Sequence, residues 1–119
     1  MKLELYTEDF FSSAHIINNY PGKCSRLHGH TWKVSVWVRG DEKDLDSNGI
    51  LWDFSNLSDS IEELDHKFIN DIVQVNPTAE NLTLYLYKKI KSAAPYLEFR
   101  VRVYESLVKK ESWCEAGDF

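Results

Sequence analysis

Apolar and polar positions change period along the chain, and the changes mark out its elements. Over residues 31–39, Trp32, Val34, Val36 and Val38 alternate with Lys33, Ser35, Trp37 and Arg39. Period two with β-branched residues on one face predicts a half-buried strand. Residues 2–17 predict a second strand, with Leu3 and Leu5 alternating with Glu4 and Tyr6. Phe10 and Phe11 stand side by side and interrupt that alternation, which a bulge near Glu8–Asp9 would absorb. Residues 18–27 hold Asn18, Asn19, Pro21 and Gly22, the chemistry of a loop. The two strands then most simply form a long antiparallel hairpin. Residues 40–49 are acidic, close on Asn48–Gly49 and read as another loop.

From Ser55 the period becomes helical. Leu57, Ile61, Leu64 and Phe68 make one stripe at steps of four, three and four. A second helix starts near Pro77–Thr78, with Thr78 as its N-cap. Glu80 lies in its first turn and Lys88, Lys89 and Lys91 near its end, which suits the helix dipole. Its expected apolar face is Leu82, Tyr85, Leu86, Ile90 and Ala93, and Pro95 ends it. Alternation returns over 98–104, where Phe99, Val101 and Val103 oppose Arg100, Arg102 and Tyr104, and a last strand is expected near 109–115. The order β-β-α-α-β-β predicts an α+β fold, an antiparallel sheet with both helices on one face. A four-stranded open sheet leaves two edges, which favours pairing between subunits.

Composition narrows the function. A chain of 119 residues is expected to be one domain, 1–119. Its 43% hydrophobic and 28% charged content is that of a soluble globular protein. A net charge of −5 argues against a nucleic-acid binder or a binder of anionic membranes. No apolar run approaches the ~20 residues that cross a bilayer. Met1-Lys2-Leu3-Glu4 lacks the basic start and apolar stretch of a signal peptide. The expected compartment is the cytoplasm, where thiols stay reduced, so Cys24 and Cys114 are expected free.

The stretch richest in chemistry is Cys24-Ser25-Arg26-Leu27-His28-Gly29-His30. In an extended backbone His28 and His30 point to the same face and can reach one metal ion. A catalytic zinc site takes three protein ligands and leaves one position open. His15, at the end of the first predicted strand, is the third candidate, because antiparallel pairing brings it beside the start of the second. The plainer reading is one partly buried histidine and a polar turn; three of four histidines at one hairpin end favour the metal. Cys24 is open between a fourth ligand, a thiolate base and an inert loop residue. His66 follows Asp65 near the end of the first predicted helix. A carboxylate beside an imidazole fixes its tautomer and stabilises its cation, although a helix-end histidine can equally serve the dipole. Glu105 closes the third strand, where a carboxylate could accept two N–H bonds from an amino-substituted heterocycle or stay solvated. Glu80 carries the same ambiguity. Cys114 reads as structural.

Taken in order, several segments resemble the 6-pyruvoyltetrahydropterin synthase family over nearly the whole chain. They are Phe11-Ser12-Ser13-Ala14-His15, Cys24-x-x-x-His28-Gly29-His30, Asp53-Phe54, Leu64-Asp65-His66, Pro77-Thr78-Ala79-Glu80-Asn81 and Glu105. The three residues between Cys24 and His28 resemble its carboxy-forming branch, the 6-carboxy-5,6,7,8-tetrahydropterin synthases of queuosine biosynthesis. The pyruvoyl-forming enzymes usually carry a longer spacer. The resemblance implies a tunnelling fold (T-fold), in which three subunits close a twelve-stranded barrel and two trimers stack into a homohexamer. It implies Zn2+ on His15, His28 and His30, with Cys24 as the catalytic thiol. It implies Asp65 and His66 as a proton relay supplied from a neighbouring subunit, and Glu105 as the pterin anchor. The implied substrate is 7,8-dihydroneopterin triphosphate, giving 6-carboxytetrahydropterin, acetaldehyde and triphosphate. The pyruvoyl-forming sister activity is the alternative, and a non-catalytic zinc protein with Cys24 as fourth ligand comes third. Three features depart from the pattern: Ser106 stands where the family often has Thr, the tail after it lacks a frequent Tyr, and a bulky Trp52 precedes Asp53. Lys23, Arg26 and Lys33 are the cations nearest the site in sequence and the expected source of charge for a triphosphate.

Overall fold

The hydrophobic alternation folds as one antiparallel sheet. A computed structural model describes residues 1–119. The sheet has the order β1-β2-β3-β4, with β1 Lys2–His15, β2 His28–Asp41, β3 Glu98–Ser106 and β4 Ser112–Gly117. Helices α1 (Ser55–Ile61) and α2 (Ala79–Ala93) cover one face. The core between the layers holds Trp32, Val34, Val36 and Val38 from β2 and Phe99, Val101 and Val103 from β3. These meet Leu57 and Ile61 from α1 and Leu82, Leu86 and Ile90 from α2. Each fully buried large aliphatic side chain there contributes about 1.5–3 kcal/mol.

The β1–β2 hairpin is longer and more regular than the pattern predicts. Its residues pair without a shift from Lys2↔Asp41 to His15↔His28, so there is no bulge near Glu8–Asp9. Phe10 keeps the alternation by facing outward, 49% exposed, while Phe11 enters the core at 2%. The slip read from the sequence was an aromatic residue on the solvent side. β1 stops at His15 rather than at residue 17. β2 begins already at His28, because His28, Gly29 and His30 pair with His15, Ala14 and Ser13.

The first helix is shorter than its stripe. α1 ends at Ile61, a 3₁₀ turn covers Glu62–Leu64, and Asp65 is extended. The reason is competition for backbone groups. The His66 amide donates to Ser12 O at 2.7 Å, the Ala14 amide donates to Lys67 O at 3.1 Å, and Ala14 bridges Phe68 in parallel. Bonds to β1 take the place of some that a continued helix would make. Leu64 still reaches the core, fully buried.

α2 follows its expected course. Thr78 caps it, its hydroxyl accepting the Asn81 amide at 3.1 Å. Its buried face is Leu82, Thr83, Leu86 and Ile90; Tyr85 is half-buried and Ala93 exposed. Thr83 satisfies its hydroxyl by donating to Ala79 O at 2.6 Å. β3 runs on to Ser106, and β4 starts at Ser112 after a register shift between Tyr104 and Ser106. β1 and β4 are the free edges.

Candidate functional site

The site grows out of the end of the hairpin. His15 is the last residue of β1 and His28 the first of β2, and the two are partners in register, as are Ser13 and His30. Odd positions of β1 and even positions of β2 face the helices, so all three imidazoles lie on the inward face. Their ligating atoms lie within 4.8 Å of one another. The ring centroids are 4.4 Å apart for His15–His28, 5.1 Å for His15–His30 and 4.8 Å for His28–His30. Cys24 is not part of this cluster.

The hydrogen bonds leave these rings ready for a cation. His15 Nδ1 donates to Pro77 O and His28 Nδ1 to Arg26 O, both at 2.7 Å. A carbonyl only accepts, so it assigns the proton to Nδ1 and frees the Nε2 lone pair. Nε2 of His15 and Nε2 of His30 are buried without any hydrogen-bond partner. A buried unpaired polar atom costs about 1–3 kcal/mol, so two at one point fit residues built to ligate an ion. Burial pushes His15 below the ordinary imidazole value of 6.5, against the Pro77 carbonyl, which favours the proton. Burial also lowers His30, opposed by the nearby Glu105 carboxylate. Neutral imidazole is the form that binds metal.

These shifts set a pH dependence. Depressed folded-state pKa values mean that the unfolded chain takes up protons first as pH falls. The stabilising contribution is therefore complete above about pH 7 and is lost as pH drops through the unfolded value of about 6.5 and on towards the lower folded values. Chelator-treated protein should show a melting temperature that declines over this window. A profile that is flat from about pH 8 to about pH 5 would contradict the assignment.

The other candidates surround the cluster. Cys24 sits half-buried in the 3₁₀ turn Lys23–Ser25, and its carbonyl accepts the Ile17 amide at 3.0 Å, folding the loop back on the end of β1. Both cysteines are free thiols. Asp65 and His66 form a pair, with His66 Nδ1 3.0 Å from Asp65 Oδ2. The Ser12 amide donates to Asp65 Oδ1 at 2.9 Å; this bond first, and then the His66 ring, hold Asp65 below the usual carboxylate range. The pair lies beyond α1, in the segment that runs along β1, and not at a helix end as the stripe suggested. His66 adopts φ 56, left-handed for a residue with a side chain, and its ring is 82% exposed. That conformation costs about 1–2 kcal/mol, a kind of strain found most often at functional sites.

Glu105 stands between two cavities. One, of about 450 Å³, it shares with Gly29, His30 and Thr31, and its Oε1 lies 3.8 Å from His30 Nε2. The other, of about 570 Å³, it shares with Glu80, Trp113 and Cys114. Sequence reasoning left Glu80 between a helix-dipole acid and a binding residue, and placed Cys114 in the structural class; the fold sets both on the wall that Glu105 lines. One hint was legible, since Glu80 follows Pro77 and Thr78 closely, but nothing local says that the Pro77 carbonyl orients His15. Lys33 is elsewhere, on the helix-free face, 3.4 Å from Glu8 and 4.8 Å above the Tyr104 ring. It supplies no charge to the cluster. Lys23 and Arg26 remain exposed around Cys24.

The family model described as 6-pyruvoyl tetrahydropterin synthase matches residues 4–117. A Pyrococcus horikoshii relative is 40% identical over 70 residues, 58% of this chain, and the chain spans only 43% of that relative's length. The 6-carboxy-5,6,7,8-tetrahydropterin synthase of Bacillus subtilis is 32% identical over 122 residues, covering 93% of this chain and 82% of its own. The structure of Caenorhabditis elegans 6-pyruvoyl tetrahydropterin synthase superposes with a TM-score of 0.72 at 23% identity, over 98% of this chain and 96% of that one, a likeness of fold. The match runs from β1 to the last residue of β4 and takes in both helices and the three-histidine hairpin end, so this chain belongs to the 6-pyruvoyl tetrahydropterin synthase family.

Proposed function

We propose that this chain is a zinc-dependent lyase that converts 7,8-dihydroneopterin triphosphate to 6-carboxy-5,6,7,8-tetrahydropterin, releasing acetaldehyde and triphosphate. The observation that carries the reading is the convergence at one hairpin end of three inward imidazoles, two with orphaned Nε2 atoms. The three-residue spacer from Cys24 to His28 and the name of the Bacillus subtilis relative support the carboxy-forming reaction.

His15, His28 and His30 would hold Zn2+, which would supply Lewis acidity towards the side-chain hydroxyls of the pterin. Glu105 receives the amino-pyrimidine edge, accepting two N–H bonds, which places the side chain towards His30. Cys24, as thiolate, removes a proton from that side chain. His66 carries protons during the rearrangement, and Asp65 fixes its ring and stabilises its cationic form. An exposed His66 suits a relay that serves the thiol of a neighbouring subunit in a homohexamer. Lys23 and Arg26 give the phosphate tail its counter-charge. No helix is long and apolar enough to cross a membrane.

Purified protein incubated with dihydroneopterin triphosphate, with and without a chelator, tests the reading. Acetaldehyde and triphosphate should appear together, and chelation should stop both. Triphosphate without acetaldehyde would assign the pyruvoyl-forming sister reaction instead. Phosphate retained on a two-carbon aldehyde would mean retro-aldol cleavage. Stoichiometric zinc without turnover would leave a zinc-binding protein.

A further inference from the structure

We propose that Ser13 is a positioning residue: its hydroxyl braces the left-handed turn that holds Asp65 against His66, and so ties the relay to the strand carrying the metal ligands. The proposal rests on the reading of Asp65–His66 as a relay. Ser13 is 7% exposed, faces inward, stands opposite His30 in register and precedes His15 by two residues. Its Oγ donates to Leu64 O and accepts the Lys67 amide at 3.4 Å. Those two groups flank the Asp65–His66 pair on either side.

The neighbours of Ser13 hold the same segment through backbone alone. The Ser12 amide donates to Asp65 Oδ1 at 2.9 Å, and Ser12 O accepts the His66 amide at 2.7 Å. The Ala14 amide donates to Lys67 O at 3.1 Å. Among these contacts, the Ser13 hydroxyl is the one made by a side chain of β1. It is therefore the one that a substitution can delete while the β1 backbone stays in place. An alanine would leave the Leu64 carbonyl without that partner in a buried setting and the Lys67 amide without it in a part-buried one. A non-glycine residue at φ 56 persists only where its surroundings hold it there. Without the brace His66 is free to relax from left-handed to right-handed or extended backbone, which swings its ring off Asp65. Proton transfer depends steeply on such geometry: a misplacement of about 1 Å costs on the order of a hundredfold in rate. Substrate binding, by contrast, uses Glu105 and the cavities beside it, which Ser13 does not line.

The test compares zinc-loaded wild type, Ser13→Ala and Ser13→Thr. It measures kcat and KM on dihydroneopterin triphosphate, zinc content, and amide hydrogen exchange over residues 64–67. Ser13→Ala should keep its zinc and its KM, lose about tenfold to a hundredfold in kcat, and exchange faster at His66 and Lys67. Ser13→Thr keeps the hydroxyl and should restore most of the rate. Unchanged kcat and exchange in Ser13→Ala would overturn the proposal. So would loss of zinc or of the fold in that variant, which would make the hydroxyl merely structural, or a folded Ser13→Thr as slow as the alanine variant. If the wild type does not turn over the pterin, the reaction reading fails by itself. Hydrogen exchange then decides the brace: protection of residues 64–67 surviving in Ser13→Ala refutes it, and its loss upholds it.

Discussion

Replacing His15 by alanine is expected to abolish stoichiometric zinc binding and to lower turnover by about a thousandfold or more, while the chain stays folded. The size follows from the arithmetic of Lewis-acid catalysis. Several kcal/mol of charge stabilisation disappear with the ion, and each ~1.4 kcal/mol is a factor of ten. The site cannot compensate. His28 and His30 are the other members of the cluster, and Cys24 does not reach it. Survival of the fold follows from what His15 does without metal. Its ring is fully buried but leaves Nε2 unpaired, so removing it relieves one uncompensated polar atom while it opens a cavity and frees the Pro77 carbonyl. Those opposing effects leave a net change of about 1–3 kcal/mol, set against a core of 20 buried residues that excludes the histidines. Metal analysis, thermal melts of metal-free protein and turnover separate the parts. Full zinc occupancy with wild-type turnover in His15→Ala would remove the metal centre from the argument.

The histidine cluster was legible in the sequence because its geometry is almost local. His28 and His30 share a face by strand period, and His15 meets them because both strands of one hairpin end there. β2 was legible for a related reason, since one face is buried from Trp32 to Val38. The misreadings have physical causes too. Phe10 is an aromatic residue on the solvent side, and hydrophobicity alone cannot tell it from a core residue in a slipped register. Leu64 and Phe68 keep a helical stripe although the chain leaves the helix at Ile61. What ends the helix is the β1 backbone at Ser12 and Ala14, about fifty residues upstream, which no local pattern can reveal. The same holds for the second layer of the site. Ser13 meets Leu64 across 51 positions and His15 meets Pro77 across 62. Carboxylates, thiols and imidazoles declare their chemistry by type; a serine brace or a proline carbonyl declares it only by position.

Mixing two inactive chains, Cys24→Ala and His66→Ala, is expected to recover about one quarter of wild-type activity when they assemble together. Alone, Cys24→Ala should keep its zinc, since the thiol lies outside the histidine cluster, and lose about a hundredfold to ten-thousandfold in rate as the substrate-facing base disappears. His66→Ala should also keep its zinc and lose rate through the relay. Recovery turns on where the relay points. His66 is 82% exposed and turned out by its left-handed backbone, while Cys24 lies half-buried in the loop before β2. β1 and β4 are open edges, so a ring that pairs them sets the hairpin end of one subunit beside the next. In such a ring each site takes its thiol from one chain and its relay from another. With random assembly at equal amounts, half the sites hold an intact thiol and half of those meet an intact relay, hence about one quarter. If thiol and relay served the same site within one chain, no mixed site could be whole and recovery would be nil. Chains must be co-expressed or refolded together, because preformed rings that do not exchange subunits would mimic that negative result. Activity near one quarter after joint refolding, and none after mixing the folded variants, identifies an interface site; no recovery by either route returns the relay to its own chain.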